Sequence, residues 1–133
     1  LHTQLATILA AYNTRQRKER IDLSANSPIL IVVRDLLFQS RITSEAKAAG
    51  VPYEIVRDPK LLAQKPGRMV IADLNQDGVI AAVQAWIAAT GGQAIGFVSH
   101  VDAERIAVAR AAGIQSVLAR SAFVAQLPQL LRS

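Results

Sequence analysis

From Pro28 onward the chain alternates short, β-branched apolar runs with alanine-rich helical stretches, and that alternation leaves few folds open. Ile29 to Val33 reads as a buried strand, and residues 36 to 49, closed by Gly50, as a helix with a C-terminal glycine. Tyr53 to Arg57 gives a weaker strand, and Pro59 to Gln64 a short helix. Met69 to Ala72 is a third strand, Val79 to Thr90 a helix stopped by Gly91-Gly92, and Ala94 to Val98 a fourth strand. Asp102 to Ala112 with Gly113 forms the next helix, Ser116 to Ala119 a fifth strand, and Ala122 to Leu131 the last helix. Strands and helices in strict alternation require right-handed βαβ crossovers and a parallel sheet covered on both faces. The expected fold is therefore α/β, a doubly wound five-stranded parallel sheet spanning residues 28–133.

Ahead of this domain, Leu5, Ile8, Leu9 and Tyr12 recur at the spacing of one helical face, so an extra N-terminal helix is expected from residue 3 to about 20. Ser24, Asn26, Ser27 and Pro28 make a polar break, which assigns residues 1–27 to an amphipathic, basic helix and its linker. The apolar stripe needs cover, and a homodimer through this helix is the expected use. The 15 Lys and Arg outnumber the 10 Asp and Glu. Arg15, Arg17, Lys18 and Arg20 with Glu19 account for three of the five excess positive charges, and the rest of the chain is nearly balanced. Such a patch reaches about two or three phosphates. No helix-turn-helix or RNA-reading aromatic motif accompanies it, so nucleic-acid regulation through this helix ranks as an alternative. The absence of cysteine excludes disulfide, thiolate-metal and thiol-nucleophile chemistry and fits the cytoplasm. No apolar run approaches the ~18–20 residues of a membrane span.

In doubly wound sheets the reactive site forms outside the carboxyl ends of the strands. The residues there are Arg34 and Asp35 after the first strand, Asp73 after the third, Ser99 and His100 after the fourth, and Arg120, Ser121 and Phe123 after the fifth. In the order and placing of these residues the chain from about 28 to 133 resembles the receiver domains of bacterial two-component response regulators, chemotaxis receivers included, which have the flavodoxin-like fold. The resemblance implies that Asp73, in Val70-Ile-Ala-Asp-Leu-Asn75, stands at the phospho-acceptor position. It implies that Ser99 holds the place of the Ser or Thr that switches rotamer, and Arg120 that of the Lys before a Pro. It also assigns partner contacts to the surface of the fourth helix, fifth strand and fifth helix, here residues 102 to 131. Asp102, Glu104, Arg105 and Arg110 are expected on the polar face of that fourth helix.

The departures from the family carry as much information. Receivers follow their first strand with two adjacent acids that help hold Mg²⁺, and here the pair is Arg34-Asp35. Arg120 replaces the Lys, Ser121 the Pro, and the loop from Asp73 to Gly78 is short. Three acids and one Lys leave the usual site negative, whereas Asp35, Asp73, Arg34 and Arg120 cancel. Mg²⁺ prefers oxygen ligands that include carboxylates, and phosphoryl transfer relies on a cation to offset developing charge. The expectation is a pseudo-receiver: a non-enzymatic signalling or scaffold module that binds a protein partner, needs no cofactor, and has Arg34 or Arg120 paired with Asp73 or Asp35. The alternative is a working receiver phosphorylated on Asp73, with Asp35 and Asp73 on Mg²⁺.

Other features carry bland readings. His100 lacks a partner pattern and reads as a loop residue, and His2 lies in the leader. Asn75-Gln76-Asp77-Gly78 is a turn, since the rest of a calcium loop is missing. Trp86 reads as core. No Gly-x-Ser-x-Gly elbow, phosphate-cradling Walker loop or His-Glu-x-x-His motif occurs.

Overall fold

The computed structural model describes residues 27–99 and 102–132. The N-terminal helix, its homodimer contact, the basic residues Arg15, Arg17, Lys18 and Arg20, and His100 lie outside the described residues. The elements run β1 (Ile29–Val32), α1 (Leu36–Ala48), β2 (Tyr53–Ile55), a 3₁₀ helix (Pro59–Gln64), β3 (Met69–Asp73), α2 (Val79–Thr90), β4 (Gln93–Val98), α3 (Ala103–Ala111), β5 (Ser116–Ala119) and α4 (Arg120–Arg132). All five strands are parallel, in the order β2-β1-β3-β4-β5. This is the doubly wound, flavodoxin-like arrangement, with its switch point between β1 and β3. No described helix is long and apolar enough to cross a membrane.

The period-two alternation of strand side chains decides which helices each strand residue meets. Leu30, Val32, Val70, Ala72, Ala94 and Val98 face a layer that includes Val83 and Trp86 of α2 and Ala109 of α3. Ile29, Ile31, Met69, Ile71, Ile95 and Phe97 face the other layer. There α1 contributes Phe38, Ile42 and Ala46, and α4 contributes Phe123, Leu127 and Leu131, each set spaced four residues apart. Because both faces of β1 are covered, all four of its residues are buried, which is why they read as an unbroken apolar run.

One helix type and two boundaries differ from the sequence reading in ways that matter. The second helix is only one 3₁₀ segment: Asp58 caps it by accepting from the Lys60 N–H at 3.0 Å, and Pro66 forces Lys65 out of the helical region to ψ 133°. β3 extends to Asp73, so the acid is the last residue of the strand. α4 begins at Arg120, directly on β5 with no loop between, two residues before the expected start. Gly96, in the middle of β4, makes room for the chain leaving β3. A Cβ there would stand 2.5 Å from the Leu74 side chain, which folds back over the sheet and is fully buried.

Candidate functional site

The connections from β1 and β3 leave toward opposite faces, so their carboxyl ends border an open crevice. Three residues beyond β1, Asp35 caps α1. Its Oδ1 accepts from the N–H groups of Leu37 at 3.0 Å and Phe38 at 3.1 Å. Such a cap satisfies donors that the first helical turn leaves without intrahelical partners. The other carboxylate oxygen, Oδ2, accepts from Nη2 of Arg120 at 3.0 Å. Arg120 reaches across because α4 starts at that residue, and its guanidinium lies 4.0 Å from the centroid of the Phe38 ring. That ring belongs to an aromatic cluster with Phe97 at 4.8 Å and Phe123 at 5.8 Å, the last two stacked 4.9 Å apart. The cation is thus held by a carboxylate and a π face together.

Asp73 belongs to a different network. Its Oδ1 accepts from the Asn75 N–H at 3.0 Å, and the Asn75 side-chain oxygen in turn accepts from the Ser99 N–H at 2.6 Å. Asn75 therefore bridges the tips of β3 and β4. Arg105 donates from Nη1 to the Leu74 carbonyl at 2.8 Å and lies 3.8 Å from Asp102, which ties α3 to the same loop. Arg105, expected on the polar face of its helix, is half-buried there because its long side chain reaches back to the loop after β3. Asp102, Glu104 and Arg110 are exposed.

The structure thus brings Arg120 to Asp35, and Asp73 to the loop that meets Ser99, while Arg34 is exposed and makes no ion pair among the described residues. The sequence reading missed Asn75, Phe38 and the Arg105 contact. Only Asn75 left a signal: an Asn two residues after an Asp at a strand end suits an Asx-type turn. The receiver fold implies Mg²⁺ at this crevice, and the residues present do not fit it. Both Asp35 oxygens are occupied by three N–H donors, and Arg34 stands where a second acid would ligate. Among the described residues no three His, Cys, Asp or Glu side chains gather to hold a metal ion.

The Phe38 N–H, more than the Arg120 guanidinium, holds the Asp35 carboxyl below the ordinary carboxylate range. A carboxyl whose pKa is lower in the folded chain binds fewer protons there than in the unfolded chain just below the ordinary value. It therefore stabilises the fold above that value, near 3.8, and the contribution disappears as pH falls through the folded pKa. Thermal melts in steps from pH 6 to about pH 2 are expected to show a steeper acid loss in the wild type than in Asp35→Asn. Parallel curves would remove Asp35 from the acid response.

No protein-family model matches the sequence, and no curated protein matches it. Solved structures do match. A CheY-like response-regulator receiver domain from Methanospirillum hungatei JF-1 superposes with a TM-score of 0.66 at 13% identity, covering 80% of this chain and 94% of that one. An orphan response regulator of H. pylori gives 0.65 at 13% identity over 81% and 98% of the two chains. The phosphorylated cyanobacterial phytochrome response regulator RcpA gives 0.62 at 18% over 80% and 89%. The protein therefore has the fold of a response-regulator receiver domain.

Proposed function

We propose that the domain is a pseudo-receiver, a signal-transduction or scaffold module that binds a protein partner and carries no phosphoryl group on Asp73. The observation that carries this reading is the engagement of Asp35. Its carboxylate is held by Arg120 and by two backbone N–H groups, where a phosphorylating receiver needs it free for a metal. Without that cation, attack by Asp73 on a phosphodonor leaves charge building on the transferred oxygens uncompensated. Arg34 and Arg120 supply positive charge to the crevice permanently, so the fold rests in one conformation. On this reading the partner meets the surface of α3, β5 and α4 within residues 102–131, where Glu104, Val108 and Arg110 are exposed.

The test is incubation of the full chain with acetyl phosphate and Mg²⁺, followed by intact-mass measurement. No added phosphoryl group is expected. A phosphoryl adduct that disappears in Asp73→Asn overturns the reading and makes the protein a working receiver.

A further inference from the structure

Beside that crevice a cleft of about 390 Å³ opens over the tips of β1 and β2 and reaches the loop after β3 through Gln76. Val33 and Val56 form an apolar part of its wall, Gln39 and Gln76 a polar part, and Arg34 and Arg57 line it together. We propose that this cleft binds a small phosphate monoester, with Arg34 and Arg57 on the phosphoryl group and the organic part against Val33 and Val56.

Charge is the first reason. Neither guanidinium makes a hydrogen bond or ion pair among the described residues, and no acid lines the cleft. The acids that follow the same two strands are engaged elsewhere, Asp35 with Arg120 and Asp58 with the Lys60 N–H. Two like charges on one cleft repel until an anion joins them. A phosphate monoester carries about −1.5 to −2 near neutral pH, which matches two guanidiniums, and its oxygens fit their paired N–H donors. A monocarboxylate matches only one of them.

Hydrogen bonding and size give the second reason. The Gln76 side-chain oxygen is shut off from solvent and has no hydrogen-bond partner. Gln39 is already fixed, donating from Nε2 to the Val33 carbonyl at 3.0 Å, so this side of the cleft is preformed. The α1 N-terminus plays no part, because Asp35 caps it. A volume of about 390 Å³ falls within the ~300–1,000 Å³ of small-molecule sites.

The experiment is calorimetric titration of the full chain with phenyl phosphate, orthophosphate and phenol. Phenyl phosphate is expected to bind, orthophosphate more weakly, and phenol not at all. Arg34→Ala with Arg57→Ala is expected to lower phenyl phosphate affinity by at least about tenfold. Both positions are exposed, so the melting temperature should hold, and the Arg34→Lys, Arg57→Lys pair, which keeps the charge, should bind between the two. The proposal is overturned if neither phosphate binds at millimolar concentration, if the alanine pair binds like the wild type, or if binding is lost on replacing Arg15, Arg17, Lys18 and Arg20 instead. Each of these outcomes leaves the pseudo-receiver reading intact, because that one is decided by the mass of the chain at Asp73.

Discussion

Trp86→Ala is expected to lower the stability of the domain by about 3–5 kcal/mol, the range for removing a large aromatic side chain from a core. Trp86 is fully buried on α2, and its indole N–H donates to the Lys65 carbonyl at 3.1 Å. Gly92 lies so close against the ring that a Cβ there would stand 2.2 Å from it, so part of the ring packs directly on backbone, which is less free than a side chain to move into a cavity. The same ring anchors the end of the 3₁₀ segment that replaces a full second helix. Trp86→Phe keeps most of the volume and gives up the hydrogen bond, so it should cost less than the alanine change. Urea denaturation of the three proteins checks both values. A loss below about 1 kcal/mol in the alanine variant would mean that the site collapses around the missing ring.

Arg34→Asp should raise Mg²⁺ affinity more than about tenfold, read by calorimetric titration against the wild type. The change restores the acidic pair after β1 and replaces a cation by an anion opposite a divalent ion. One pair of unit charges ~5 Å apart interacts by roughly 3 kcal/mol at an effective dielectric of ~20. Exposure of Arg34 discounts that figure, yet half of one such pair already reaches the ~1.4 kcal/mol of a tenfold change. Adding Arg120→Lys, which loosens the bidentate-capable hold on Asp35, should strengthen binding further. Equal Mg²⁺ affinity in Arg34→Asp and wild type would show that charge at position 34 is not what keeps the metal out.

The fold was legible where burial leaves a sequence signature. β1 is apolar at every residue because helices cover both of its faces, and the four-residue spacings of Phe38, Ile42, Ala46 and of Phe123, Leu127, Leu131 mark the stripes that cover it. Asp73, Arg34 and Asp35 could be placed at strand ends from pattern alone, since strand ends follow from where apolar runs stop. The partners of these residues could not. Arg120 meets Asp35 across 85 positions, a contact set by the sheet order and by α4 starting on β5 without a loop. Ser121, a favoured N-cap residue, points to a start at Ala122, whereas Ala119, which precedes the observed start, carries no capping side chain. Arg105 looked like a solvent-facing charge because helical spacing reports the face of a residue and not the reach of a long side chain.

The Arg120 clamp and the aromatic cluster beneath it also bear on how the chain matures during synthesis. Phe38 and Phe97 are covered in part by Phe123 and Arg120, which sit on the final 13-residue helix. While the residues of α4 are still inside the ribosome, one side of the nascent sheet keeps its aromatic surface open to water and to chaperones. The domain therefore closes only once α4 has emerged, whatever has left the exit tunnel before it.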